Sequence, residues 1–315
     1  MKKGYLLCNA GKNLNITNKN IEGLFEEPHL STVEYLNITE VAHEVEIDYS
    51  CFRNLKRLMI SSLEPYTFPK EICFLANLEN ITCSGCCLIP QEIGEMKALK
   101  TLNINGDCVM NMPESIENVT SLESLQIAYY DAPSCPMPIW ITRMRQLKQL
   151  ILFLCYFTKI DASINNLVNL RELHIVGALS AASDFPSLSG LQNLERLIIS
   201  GEGYPSLPKP PYKLFPKVLD GISELRNLKY LSLEGWRSRK KADYMIVTEQ
   251  GRSIPDVFDK YQNLEDLNLF GMKIDFLPQS LYQLSKLKRM IIGDNNLSTE
   301  CLQRLANTNI KIREY

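Results

Sequence analysis

The chain has 315 residues, 45% of them hydrophobic, and a net charge of −2. That length holds two ordinary domains or one elongated repeat array. The near-neutral charge gives no whole-chain reason to expect nucleic acid or an anionic membrane, and no apolar run approaches the roughly 20 residues that cross a bilayer.

The N-terminal stretch "MKKGYLLCNAGKNLNITNKN" imitates a lipoprotein leader through Lys2, Lys3 and Cys8. Its apolar part, "GYLLC", is shorter than the roughly 7 to 15 residues such a leader needs, and Leu7 stands where a cleavage site wants a small residue. A cytoplasmic protein is therefore expected. The ten cysteines are scattered through a long chain, which favours free thiols in a reducing compartment over a disulfide framework.

From there one phrase recurs: an apolar residue, two variable residues, then two further apolar residues separated by one. It appears as "VEYLNI" from Val33, "LKRLMI" from Leu55, "LENITC" from Leu78, "LKTLNI" from Leu99 and "LESLQI" from Leu122. It continues as "LKQLIL" from Leu147, "LRELHI" from Leu170, "LERLII" from Leu194, "LKYLSL" from Leu228, "LEDLNL" from Leu264 and "LKRMII" from Leu287. "GKNLNI" from Gly11 and "NTNIKI" from Asn307 are degenerate end copies, giving about 13 units over residues 1–315 as one domain. The phrase predicts a short strand with alternate residues buried. Between strands lie segments such as "FPKEICFLANL", "IPQEIGEMKAL", "MPESIENVTSL" and "LPQSLYQLSKL". Proline at the first turn followed by apolar residues three or four apart predicts a short helical return.

These two phrases together resemble the leucine-rich repeat family, in its proline-bearing class found in bacterial repeat proteins and in Ras-suppressor and Scribble-type scaffolds. The resemblance covers nearly the whole chain. It implies an α/β fold: a curved horseshoe solenoid, parallel β-strands on the concave face and short helices or turns on the convex face. The family usually carries asparagine eight residues after the first leucine, to bond neighbouring turns. Only Asn295 fills that slot in full context; Leu63, Cys86, Asp107, Tyr130, Cys155, Ala178, Glu202, Trp236 and Met272 occupy it elsewhere.

The stretch "CSGCC" at 83–87 resembles a metal knuckle or redox pair. Within the repeat, however, Cys83 and Cys86 fall on inward positions, where buried cysteine acts as a small hydrophobe. Cys87 and Cys108 are expected at the rim. No metal site is expected, since a second paired-cysteine motif is missing. No phosphate loop, dinucleotide fingerprint, metalloprotease helix or nucleophile elbow is present, so no cofactor and no enzyme activity are expected.

Function is then expected on the outward strand positions. In the first half these are small polar residues, among them Asn13, Asn15, Thr17, Asn37, Thr82, Asn103, Asn105, Ser124 and Gln126. The second half presents Gln149, Ile151, Phe153, His174, Val176, Arg196 and Ile198, then Tyr230, Glu234, Trp236, Asp266, Phe270, Arg289 and Ile291. Contiguous outward apolar residues mixed with aromatics and arginine have the composition of a protein-binding surface. The expectation is a monomeric protein-binding module for a partner protein. Two long steps hold insertions at 201–217, rich in proline, and at 236–252, with five basic residues against two acidic ones. They are expected to flank the face. Two alternatives remain: a small-molecule or glycan sensor using the polar half, or nucleic-acid or phosphate binding through the basic insertion.

Overall fold

The computed structural model describes residues 6–8, 12–17, 30–40, 47–129, 134–179, 181–201, 214–236, 246–248 and 251–314. It divides into two compact units, Met1–Tyr130 and Asp131–Tyr315.

In the first unit, β1 (Leu6–Cys8) pairs antiparallel with β2 (Asn13–Thr17). Parallel pairing then runs through β3 (Tyr35–Thr39), β4 (Arg57–Thr67), β5 (Asn80–Leu88), β6 (Thr101–Asn105) and β7 (Ser124–Ala128). The repeat phrase sets the register: Leu14, Leu36, Leu58, Ile81, Leu102 and Leu125 stand side by side, each at most 2% exposed. Truncating a stacked leucine of this kind to alanine costs about 2–5 kcal/mol.

The second unit repeats the scheme. A two-residue strand, β8 (Cys135–Pro136), pairs with β10 (Phe157–Lys159) beside the main sheet. The sheet consists of β9 (Gln149–Phe153), β11 (Glu172–Val176), β12 (Arg196–Ser200), β13 (Tyr230–Ser232), β16 (Asp266–Asn268), β17 (Arg289–Ile291) and β18 (Lys311–Arg313), all parallel. Helix α1 (Phe215–Gly221) precedes β13, and α2 (Thr299–Ala306) precedes β18. An antiparallel pair, β14 (Ile246–Thr248) and β15 (Gly251–Ser253), closes the second insertion.

Apart from α1, which carries Pro216 in its first turn, the proline-bearing returns are not α-helices. They form five-residue 3-10 turns at Lys70–Phe74, Gln91–Glu95, Glu114–Asn118, Ile139–Arg143 and Gln279–Gln283. The proline stands just before each turn in extended conformation, with ψ between 122° and 160°, rather than inside it. Five residues are too few to offset the cost of nucleating an α-helix, and the tighter 3-10 turn spans the gap instead.

Where the family's asparagine is present it works as implied: Asn295 Nδ2 donates to the Leu269 and Ile292 carbonyls, each at 2.8 Å, and its Oδ1 accepts from Ile274 N. Six other units use a different asparagine, the residue immediately before the first leucine of the phrase. Asn54, Asn77, Asn169, Asn193, Asn227 and Asn263 each donate from Nδ2 to a carbonyl of the preceding repeat: Ser31, Arg53, Arg145, Val168, Gln192 and Arg226, at 2.7–3.1 Å. This ladder satisfies carbonyls that lie just before the strand phrase, a different set from the post-strand carbonyls that Asn295 bonds. Charges also alternate along the strand starts: Lys12 and Lys56 flank Glu34, and Arg171 and Lys229 flank Glu195. Such exposed pairs add little stability, but a slipped stacking would bring like charges together.

Cys83 and Cys86 are buried as expected, at 1% and 0% exposure. Cys108 is a correction: at 0% exposure it lies in the core, not at the rim, because the chain tucks into a 3-10 turn at Asp107–Val109. Cys87 is half-buried, with its thiol on the Tyr66 carbonyl at 3.1 Å. Cys83 and Cys108 are pushed up by their hydrogen bonds to Cys86 and then by burial, while those same bonds pull Cys86 down. Gly85 of "CSGCC" has φ +81°, and a Cβ there would collide with the Ser62 carbonyl oxygen. The stretch is thus an irregular part of β5 that sends the Cys83 and Cys86 thiols inward. Among the described residues no cluster of His, Cys, Asp or Glu could hold a metal, and no helix is long and apolar enough to cross a membrane.

Candidate functional site

In the second unit, strand alternation turns three rows of side chains outward. The first row runs Gln149, Glu172, Arg196, Tyr230, Asp266, Arg289 and Lys311, in register across all seven strands. Its members are bonded to one another. Gln149 Nε2 donates to Glu172 Oε2 at 2.8 Å, and Arg196 Nε reaches Glu172 Oε1 at 3.0 Å. The Arg196 guanidinium lies 3.6 Å above the Tyr230 ring centroid, a cation–π stack. Arg289 makes a two-pronged ion pair with Asp266.

The second row runs Ile151, His174, Ile198, Ser232, Asn268, Ile291 and Arg313, although Ser232 and Asn268 are buried at 1% and 6% exposure. The third holds Phe153, Val176 and Ser200 in register. Ile151, Phe153, Val176 and Ile198 are each partly exposed on adjacent strands, so they form one apolar band. His174 sits within it, between Ile151 and Ile198, with Nε2 2.7 Å from Glu172 Oε1 and a side chain 17% exposed. Burial holds its pKa below the ordinary histidine value and outweighs the opposing bond to Glu172. At the end of β16, Asn268 Nδ2 donates to Glu234 Oε2 at 2.6 Å and Phe270 N donates to Asn268 Oδ1 at 2.9 Å.

Glu172, the third position of "LRELHI", obeys the same outward rule though it is not among the expected residues. It holds Gln149, His174 and Arg196 at once. Trp236 is a correction in the other direction. It is 3% exposed, stacks on Phe215 with centroids 5.0 Å apart, and donates from Nε1 to the Ile199 carbonyl at 3.0 Å. It occupies slot eight of its unit, which faces inward; Gly235, at φ +74°, turns the chain to place it there. Trp236 is core and does not belong to the face.

Residues 202–213, 237–245 and 249–250, which make up most of the two insertions, lie outside the described residues. Arg252, counted with the basic insertion, is committed to Asp275, with Nε and Nη2 at 2.8 and 2.7 Å from its carboxylate. In the first unit the polar residues bond laterally: Asn37 to Asn15 at 3.0 Å, Asn103 to Thr82 at 3.2 Å and Asn105 to Ser84 at 3.3 Å.

A family profile described as "Leucine-rich repeat region" matches residues 14–209. The chain belongs to the leucine-rich repeat family. Its fold class is α/β, as the parallel strands and their 3-10 and α-helical returns require. Among curated leucine-rich repeat relatives, the volume-regulated anion channel subunit LRRC8B of Mus musculus is 25% identical over 66% of this chain and 29% of its own length. The subunit LRRC8A of Homo sapiens is 24% identical over 67% of this chain and 24% of its own length. An adenylate cyclase of Schizosaccharomyces pombe is 25% identical over 94% of this chain and 16% of its own length. The chain thus spans less than a third of the curated relatives it matches. Among solved structures, a Listeria monocytogenes internalin has a TM-score of 0.47 at 16% identity, covering 96% of this chain and 86% of that one. The leucine-rich repeat domain of the type III effector XopL also has a TM-score of 0.47, at 17% identity, over 89% and 76%.

Proposed function

We propose that this leucine-rich repeat chain is a non-catalytic module that docks one partner protein on the outward face of β9, β11, β12, β13, β16 and β17. The observation that carries this reading is the apolar band of Ile151, Phe153, Val176 and Ile198 on three adjacent strands, beside a row of bonded charges. Apolar residues in contact with water on a rigid sheet gain free energy when a partner covers them, and aromatic and arginine neighbours supply anchors. The outward anchors are Ile151, Phe153, Ile198, Tyr230 and Phe270, while Arg196, Glu234 and Arg289 set specificity by charge. Two of the relatives are named as channel subunits, parts of larger assemblies, which agrees with a docking role.

The absence of catalysis belongs to the same reading. His174 is the sole histidine among the described residues; its ring bonds Glu172, and the Cys155 thiol points inward to the Phe153 carbonyl at 3.4 Å. No nucleophile and base therefore meet at this face. The chain acts as one domain and as a monomer. Phe153→Ala combined with Ile198→Asp is expected to abolish partner capture while circular dichroism and the unfolding midpoint stay close to wild type. Unchanged capture by that folded variant rejects the proposal.

A further inference from the structure

In the first unit Asn13, Tyr35, Arg57, Asn80, Thr101 and Ser124 stand in register as the first outward row of β2 to β7. Arg57 is the one charged residue in that row. The two outward rows behind it hold asparagine, threonine, serine and glutamine, with Met59 and Ala128 as the apolar exceptions. In the second unit, Arg196 and Arg289 each have an acid in register beside them, Glu172 and Asp266, and bond it. Arg57 has Tyr35 and Asn80 as its register neighbours, and its guanidinium makes no ion pair or hydrogen bond among the described residues. Acids at the strand starts are committed to lysines: Glu34 bonds Lys12 at 2.7 Å and Lys56 at 3.0 Å, and Glu79 bonds Lys100 at 3.1 Å. Arg57 lines a cavity of about 580 Å³ together with Asn13, Tyr35, Glu34 and Lys56.

We infer that this cavity binds a carboxylated sugar of an acidic glycan, with the carboxylate on Arg57 and the sugar ring against Tyr35. The site is separate from the docking face and does not depend on that reading. A guanidinium whose donors are all unengaged can grip one carboxylate through two parallel hydrogen bonds. Tyr35 is partly exposed in the same lining, and an aromatic ring supplies a flat apolar surface for the C–H side of a sugar. Amides and hydroxyls both donate and accept, so Asn13 and the rows behind match the hydroxyls of a saccharide. The second row is fixed in advance, since Asn37 donates to Asn15 and Asn103 to Thr82, and little side-chain freedom is lost on binding. Adjacent strands lie about 4.8 Å apart, so Asn13 and Arg57, two strands apart, span roughly 10 Å, the reach of a short oligosaccharide. A peptide is the poorer fit, because this face has no apolar band to anchor one. A nucleic acid or sulfated polymer is poorer still, because a single uncompensated cation releases few counterions.

The test titrates the full chain with sialyllactose and trigalacturonate, with lactose as the neutral control and a heparin oligosaccharide as the polyanionic one. Affinity is followed by calorimetry at fixed ionic strength. At least one of the two carboxylated sugars should bind, about tenfold or more tighter than lactose and tighter than heparin. Arg57→Gln, an exposed change whose fold is checked by circular dichroism, should lose about tenfold or more of that affinity. Ile198→Asp, on the docking face, should bind the sugar as wild type does. Lactose binding within twofold of the acidic sugars, tighter binding of heparin, or an Arg57→Gln variant within twofold of wild type would each overturn the inference. So would equal loss on Ile198→Asp, or no binding of either carboxylated sugar by a chain that still captures its partner.

Discussion

Asn193 donates from Nδ2 to the backbone carbonyl of Val168 at 2.8 Å, joining one repeat to the repeat before it. The same contact recurs at Asn169 and Asn227, each one residue before a strand phrase. The side chains are exposed, so each bond contributes modestly. Asn193→Ala should cost about 1 kcal/mol, and the triple alanine variant of Asn169, Asn193 and Asn227 about 3 kcal/mol, because each bond has its own acceptor. Urea unfolding measures both. A triple variant as stable as wild type would deny the ladder its role.

Trp236 separates core from surface. Trp236→Ala empties a buried site and should cost about 3–5 kcal/mol. Trp236→Phe keeps most of the volume and strands the Ile199 carbonyl, costing about 1–3 kcal/mol. The phenylalanine variant, while folded, should bind the partner as wild type does. Loss of binding without loss of stability would return Trp236 to the face.

His174 has a pKa held down by burial between two isoleucines. The unfolded chain then takes up a proton more readily than the folded one, so stability is complete above about pH 6.5 and falls as the pH drops through the lowered value. The groups facing the ring are Glu172, which raises its pKa, and Arg196, which lowers it. Glu172→Gln should therefore move the His174 titration, followed by NMR, to still lower pH. A shift upward would contradict the assignment of Glu172 as its partner.

The stacked leucines were legible because period and chemistry agree: Leu150, Leu173, Leu197 and Leu231 recur at one position and all lie at 0% exposure. The rungs at Asn54, Asn77 and Asn193 were equally visible as "NL" pairs, but the family's slot-eight asparagine drew the eye to the wrong column. Glu172 obeys the alternation rule, but its apolar neighbours give the stronger surface signal. Trp236 has the chemistry of an aromatic anchor, but its slot is inward and a glycine precedes it. The lateral bonds of the face were beyond sequence reading, since strand register across 20 to 36 residues of intervening chain decides which side chains meet.

The central claim is that the partner lies on the outward face of the second unit. The most direct measurement places a photo-crosslinking benzoylphenylalanine at Ile198 and, as a control, at Phe74, which is 63% exposed on a 3-10 turn of the first unit. Irradiation in native extract should give one discrete adduct from Ile198, lost when Phe153→Ala is added, and none from Phe74. An adduct from Phe74 with none from Ile198 would contradict the account.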